Sequence, residues 1–195
     1  MAASIDVAAE SCRAITFRFF RQETIAMLVF LDTEYTGLGQ PTPKLISLGM
    51  VAEDGRREFY VELEDSWKPE DCSDFVQREV LPLLSGPAMS LLQARLSLRA
   101  WLAASPRVVR AACDSITDFR FLMEMLGESK PCNLASAPFD LRPLIDTSVY
   151  HDAVMAHYST DDREHHALVD ARAYRKGWLA WMDARKAKPL HAGDR

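Results

Sequence analysis

The stretch MLVFLDTEYTGL, residues 27–38, constrains this chain more than any other. Its short apolar run, bounded by charge, reads as a strand buried on both faces. The run then delivers Asp32 and Glu34. Side chains alternate along a strand, so these two carboxylates share one face of the sheet. Like charges so close repel unless water reaches both or a cation lies between them. A solvated strand end is the ordinary explanation for a single Asp-x-Glu pair. The TGLG that follows, residues 36–39, lets the backbone turn closely beside the acids.

After that loop the pattern stays β for two more segments. KLISLGMVAEDG reads as a second strand ending in a turn, and RREFYVELED as a third strand returning beside it. Helical spacing then takes over. DCSDFVQREVLPLL places Phe75, Val76, Val80 and Leu83 on one side, with Ser73 or Asp71 as cap. AMSLLQARLSLRAWLAAS places Leu91, Leu92, Leu98, Trp101 and Leu102 together, a stripe that suits core packing better than a dimer surface. RVVRAACD is a strand, TDFRFLMEMLG a helix ending at Gly127, and FDLRPLID holds a short strand near Leu144–Asp146. TSVYHDAVMAH is left open between helix and mobile segment. HHALVDARAYRKGWLAWMDARK is a long final helix. This order predicts an α/β domain with a mixed central sheet of about five strands flanked by helices.

Composition sets wide limits. The 195 residues are 48% hydrophobic and 26% charged, which suits one domain with a core of its own. Cys12, Cys72, Cys113 and Cys132 are scattered without metal-binding spacing and read as free thiols in a reducing cytoplasm. No stretch is apolar for long enough to span a membrane. Residues 1–26 lack the basic-then-apolar order of a signal peptide and read as an added or flexible extension, with Met27 as an alternative start. Residues 187–195 read as a frayed tail. The net charge of −5 disfavours a nucleic-acid binder unless bound cations or a local basic patch supply the attraction.

Two further segments carry acids. In RAACDSITDFRFL, Asp114 and Asp118 flank the start of a helix, and either can cap it. In DDREHHALVDARA, His166 and Asp170 are four apart and share a helical face, while His165 precedes the helix with a freely aimed ring. Each segment alone has an ordinary explanation as a capped helix. Together they give carboxylates of the kind that hold hard divalent cations, plus a histidine that titrates near neutrality. Two such cations about 4 Å apart can clamp a phosphate during in-line displacement.

LDTEYTGL, ITDFRFL and HHALVDARA, in this order, resemble the three motifs of the DEDDh 3′–5′ exonucleases, the superfamily of proofreading exonucleases, RNase T and oligoribonuclease. The resemblance spans residues 27–186 and is strongest to short stand-alone bacterial 3′–5′ exoribonucleases. It implies an RNase H-like fold. It also implies that Asp32, Glu34, Asp118 and Asp170 hold two Mg²⁺ or Mn²⁺ ions, with His165 as general base. Leu38 would wedge against the terminal base, with Tyr35 and Thr36 beside it. The substrate would be a single-stranded 3′ end, RNA before DNA, released as nucleoside 5′-monophosphates, and the protein a homodimer. Asp114 stands where many relatives carry asparagine, and the doubled histidine makes His166 a lesser candidate. Two other readings stand beside this one: a DNA exonuclease of proofreading type, and an inactive nuclease-like binding module. Arg172, Arg175 and Lys176 on the last helix read as a solvated face rather than a phosphate contact.

Overall fold

The structure, a computed structural model, describes residues 26–187. The expectations for the extension and the tail lie outside the described residues, apart from Ala26 and Ala187. The first strand, β1 (Met27–Tyr35), sits inside the sheet. It pairs antiparallel with β2 (Leu45–Ala52) on one side and parallel with β5 (Val109–Cys113) on the other. β3 (Glu58–Leu63) continues the antiparallel meander. Two very short strands, β4 (Ala88–Met89) and β6 (Phe139–Asp140), extend the edges to give the order β4-β3-β2-β1-β5-β6.

Period-two alternation along β1 explains both layers. Met27, Val29 and Leu31 face a core built with α1 (Leu91–Ala103) and α2 (Ile116–Leu126), where Leu98, Leu102, Leu122 and Leu126 are fully buried. Leu28 and Phe30 face the opposite layer, against Tyr150 of α4 (Ser148–Tyr158) and Trp178 of α5 (Ala167–Ala187). A side chain such as Phe30, removed wholly from water, contributes about 2 kcal/mol. Continued past residue 31, the same alternation sends Asp32 and Glu34 to the α5 side and Thr33 and Tyr35 to the α2 side.

α5 lies unusually close to the sheet. Gly49 is the register partner of Asp32. A Cβ on Gly49 would stand 2.4 Å from the backbone carbonyl of Ala167 and from the backbone nitrogen of Leu168. Only glycine lets the first turn of α5 rest there. Ala167, Ala171 and Ala173, all fully buried, keep that contact small on the helix side.

Three expectations need correction. Residues 71–84 are not one helix: a 3₁₀ turn at Pro69–Asp71 precedes a π turn at Val76–Val80 and a second 3₁₀ turn at Leu81–Leu83. Pro82 has no N–H and crowds the preceding turn, and the Leu81 N–H reaches back to the Val76 carbonyl in the wider π pattern. The strand near Leu144–Asp146 lies instead at Phe139–Asp140. Pro143 suits the start of the helical turn α3 (Arg142–Ile145), which follows it. Neither Asp114 nor Asp118 caps α2: Ser115 does, accepting from the Thr117 N–H. The segment left open is helical, as α4. The α1 stripe does pack inward through Leu98 and Leu102, while Leu92 and Leu96 stay exposed on its outer face. Among the described residues no helix is long and apolar enough to cross a membrane.

Candidate active site

A cavity of about 690 Å³ opens where β1 and β5 end and α2 and α5 begin. Asp32, Glu34, Asp118, His165 and Asp170 all line it, as does Asp114. Three segments far apart in sequence thus converge because each ends or starts an element at the same end of the central strands.

Asp32 and Glu34 arrive by strand alternation. Asp118 arrives in the first turn of α2, where the Thr33 hydroxyl donates to its Oδ1 at 2.6 Å across 85 residues. Asp170 arrives in the first turn of α5, accepting from the Tyr158 hydroxyl at 2.8 Å and from the His165 backbone N–H at 3.0 Å. His165 adopts φ 71°, the one positive φ at a non-glycine residue among those described. That left-handed turn directs its ring to the cavity, where the Phe75 ring meets it edge-on at 5.0 Å.

Electrostatics follow from crowding. Burial raises the Asp32 carboxyl well above its usual value, and Asp118, Glu34, Asp170 and Asp114 push it further. Burial, then Asp170 and Asp118, raise Glu34 likewise. Asp118 and Asp170 are raised chiefly by burial, against the lowering effect of the Thr33 and Tyr158 hydroxyls. The Tyr174 hydroxyl, buried among these acids, is held protonated far above its ordinary range and stays a donor. In such a site the carboxylates ionise together only if positive charge joins them.

The donors sort into two groups. One ligand atom each from Glu34, His165 and Asp170 lie within 4.8 Å of one another, and so do one each from Asp32, Asp114 and Asp118. Oxygen-dominated sets of this size fit hard divalent cations. Asp32 and Glu34, neighbours on one face of β1, thus fall into different groups.

The other predicted residues are placed as follows. Leu38 is 85% exposed at the cavity rim, and Tyr35 lines the wall with its ring 5.3 Å from Phe121. Thr36 is fully buried and its hydroxyl accepts from the Lys44 N–H, so it pins the loop and does not line the cavity. His166 stacks on Tyr60 at 4.5 Å, away from the cavity, and burial lowers its basicity. Arg172 forks onto Glu58, Arg175 donates to the Glu53 carbonyl, and Lys176 meets His157. All three are thus occupied away from the acids.

Sequence reasoning missed Thr33, Phe75, Tyr158 and Tyr174. Tyr174 had a signal, since it follows Asp170 by four residues and shares its helical face. Thr33 had a weaker one, as the residue between two acids that points to the other layer.

The comparisons with known proteins fit this geometry. No family model matches the chain. Over 73 residues it is 42% identical to a 3′–5′ exoribonuclease of Mycobacterium tuberculosis, found in two strains. The match covers 37% of this chain and 42% of those relatives, so the chain spans less than half of their length. Among solved structures, the nuclease domain of 3′hExo, a DEDDh family member bound to rAMP, superposes with a TM-score of 0.51 at 12% identity. That superposition covers 87% of this chain and 96% of that domain. The fold is therefore that of a DEDDh-type nuclease domain, RNase H-like, with a six-stranded mixed sheet. The relatives carry the name 3′–5′ exoribonuclease, and the solved structure shares the fold.

Proposed function

We propose that this DEDDh-type domain is a metal-dependent 3′–5′ exoribonuclease that releases nucleoside 5′-monophosphates. The observation that carries the proposal is the meeting of Asp32, Glu34, Asp118, His165 and Asp170 on one cavity wall, in two cation-sized groups. The names of the Mycobacterium tuberculosis relatives favour RNA over DNA. An inert binding module has no use for a histidine aimed among buried acids.

Asp32 and Asp118 would hold one divalent cation, and Glu34 and Asp170 the other, Mg²⁺ or Mn²⁺ by the oxygen character of the donors. When bound, such ions neutralise the phosphate and make water more acidic. The protein's own residues do the rest. His165, beside Glu34 and Asp170, would accept the proton of the attacking water on its ring nitrogen. Its backbone N–H holds Asp170 in place meanwhile. Leu38, unsupported by any packing of its own, is free to lie against the terminal base, with Tyr35 alongside. A cavity of about 690 Å³ has room for one nucleotide and its neighbouring phosphate.

The test is a time course on single-stranded RNA labelled at either end, and on matching DNA, with Mg²⁺, Mn²⁺ or chelator. Asp32→Asn protein runs beside the wild type. Stepwise shortening from the 3′ end, dependent on metal and lost in the variant, is the expected result. Faster loss of DNA than RNA would replace the substrate with DNA. No shortening of either polymer would replace the enzyme with a binding module.

A further inference from the structure

One contact in the cavity is not used by the mechanism above. The Tyr174 hydroxyl lies 3.1 Å from Asp32 Oδ1 and 3.0 Å from Asp114 Oδ2. A phenol carries one hydrogen, so it can donate to only one of the two at a time. Asp114 is not needed as a helix cap, because Ser115 fills that place. Nor does its carboxylate take part in any side-chain ion pair among the described residues. Yet it stands with an oxygen within 4.8 Å of ligand atoms of both Asp32 and Asp118.

We propose that Tyr174 is a positioning residue that ties Asp114 to Asp32, and that Asp114 thereby serves as a fifth carboxylate of the cation centre, sharing one ion with Asp32 and Asp118. A cation resolves what the lone hydroxyl cannot: it satisfies both carboxylates at once. The hydroxyl then fixes the orientation of whichever oxygen the ion leaves over, as an outer partner fixes a ligand. Tyr174 is well placed for this. It lies four residues beyond Asp170 on the same face of α5, so one helix aligns both groups of donors. The proposal rests on the cation-dependent reading of the site.

The test uses the full chain and Mn²⁺ alone, by titration calorimetry and by thermal melting with and without the ion. Asp114→Asn keeps the shape and the acceptor for Tyr174 but removes the charge. It is expected to weaken Mn²⁺ binding about 10–100-fold while raising the melting temperature of the metal-free protein, because one like charge is gone. Tyr174→Phe is expected to weaken binding too, but to lower the metal-free melting temperature, since the two acids lose the one donor they share. The double variant is expected to bind better than the product of the two single effects allows. Wild-type binding with unchanged affinity in Asp114→Asn would overturn this inference and leave the proposed function standing. The same holds if both variants melt lower without metal and bind normally, which is the signature of a packing role. A wild type that binds no Mn²⁺ at millimolar concentration would overturn both.

Discussion

The closeness of α5 to the sheet yields the sharpest prediction. In Gly49→Ala the new Cβ would lie 2.4 Å from the Ala167 carbonyl and the Leu168 nitrogen, where ordinary contact begins at 3.4 Å. The obstacle is backbone, which cannot swing aside as a side chain tip can. The start of α5 must therefore withdraw from β2 by roughly 1 Å, the difference of those distances. Overpacking of this kind costs about 1–3 kcal/mol, or about 2–12 °C in melting temperature for a domain this size. The larger consequence falls on the site. Asp170 sits one turn into α5 and holds the His165 backbone, while Glu34 stays on β1. A 1 Å separation of catalytic groups lowers rate on the order of 100-fold. Melting curves and exonuclease assays on the purified variant give both numbers. Gly127→Ala supplies the control: its φ of 65° and ψ of −151°, a glycine-only conformation, make alanine cost about 1–3 kcal/mol at the far end of α2, with no movement of the acids. Equal rates in Gly49→Ala and wild type, or equal losses in the two variants, would refute the reasoning.

Three further outcomes are expected. Burial raises Asp118 and Asp170 from 3.8 to about 7. A raised acid favours the fold below its unfolded pKa, and that stability is lost as pH climbs toward the folded value. The chelator-treated protein should thus be less stable at pH 8 than at pH 5, by on the order of a few kcal/mol in chemical denaturation, and Mg²⁺ at pH 8 should restore it; a flat or rising profile would count against the crowded site. Thr33→Val deletes the donor to Asp118 and should cost about 1–3 kcal/mol in chemical denaturation, whereas a loss below measurement would mean the acid needs no such partner. Leu38→Ala should leave stability within about 0.5 kcal/mol, the side chain being exposed. It should also raise KM for single-stranded RNA about tenfold through lost contact with the base, and unchanged kinetics would remove the wedge.

Much of the site was legible because strand parity and helix spacing are local rules. Two acids separated by one residue must share a face, and an acid in the first turn of a helix that follows a strand must sit near that strand's end. The first strand's double burial was legible for the same reason. What escaped was set by tertiary contact. The two-residue strands β4 and β6 exist only because β3 and β5 present edges to them. The break at 71–84 turned on Pro82, which the apolar spacing of Val76, Val80 and Leu83 concealed. Ser115 was overlooked as a cap because two acids on either side were more conspicuous. Tyr158 could be weighed as a site residue only once its segment was known to be the helix α4, whereas Tyr174 was passed over although its spacing from Asp170 offered a signal.

The site and the core also depend on each other energetically. Three buried carboxylates would drive the end of β1 away from α2 and α5 if nothing held it. Its first five residues hold it, since Val29, Phe30 and Leu31 are fully buried between the two layers. Two hydroxyls, from Thr33 and Tyr158, then fix the acids that face them. The fold can therefore keep the acids assembled in advance of any cation, at a cost in stability that the apolar half of the same strand offsets. A cation entering such a site binds to groups already in place and relieves their repulsion as it does so. Its binding energy should appear directly as added stability of the whole domain, by the linkage that ties ligand affinity to unfolding. Substitutions that loosen the apolar half of β1 should accordingly weaken cation binding even though they touch no ligand. Phe30→Leu, which removes the ring packed 5.6 Å from Trp178, is the variant in which to look for that coupling.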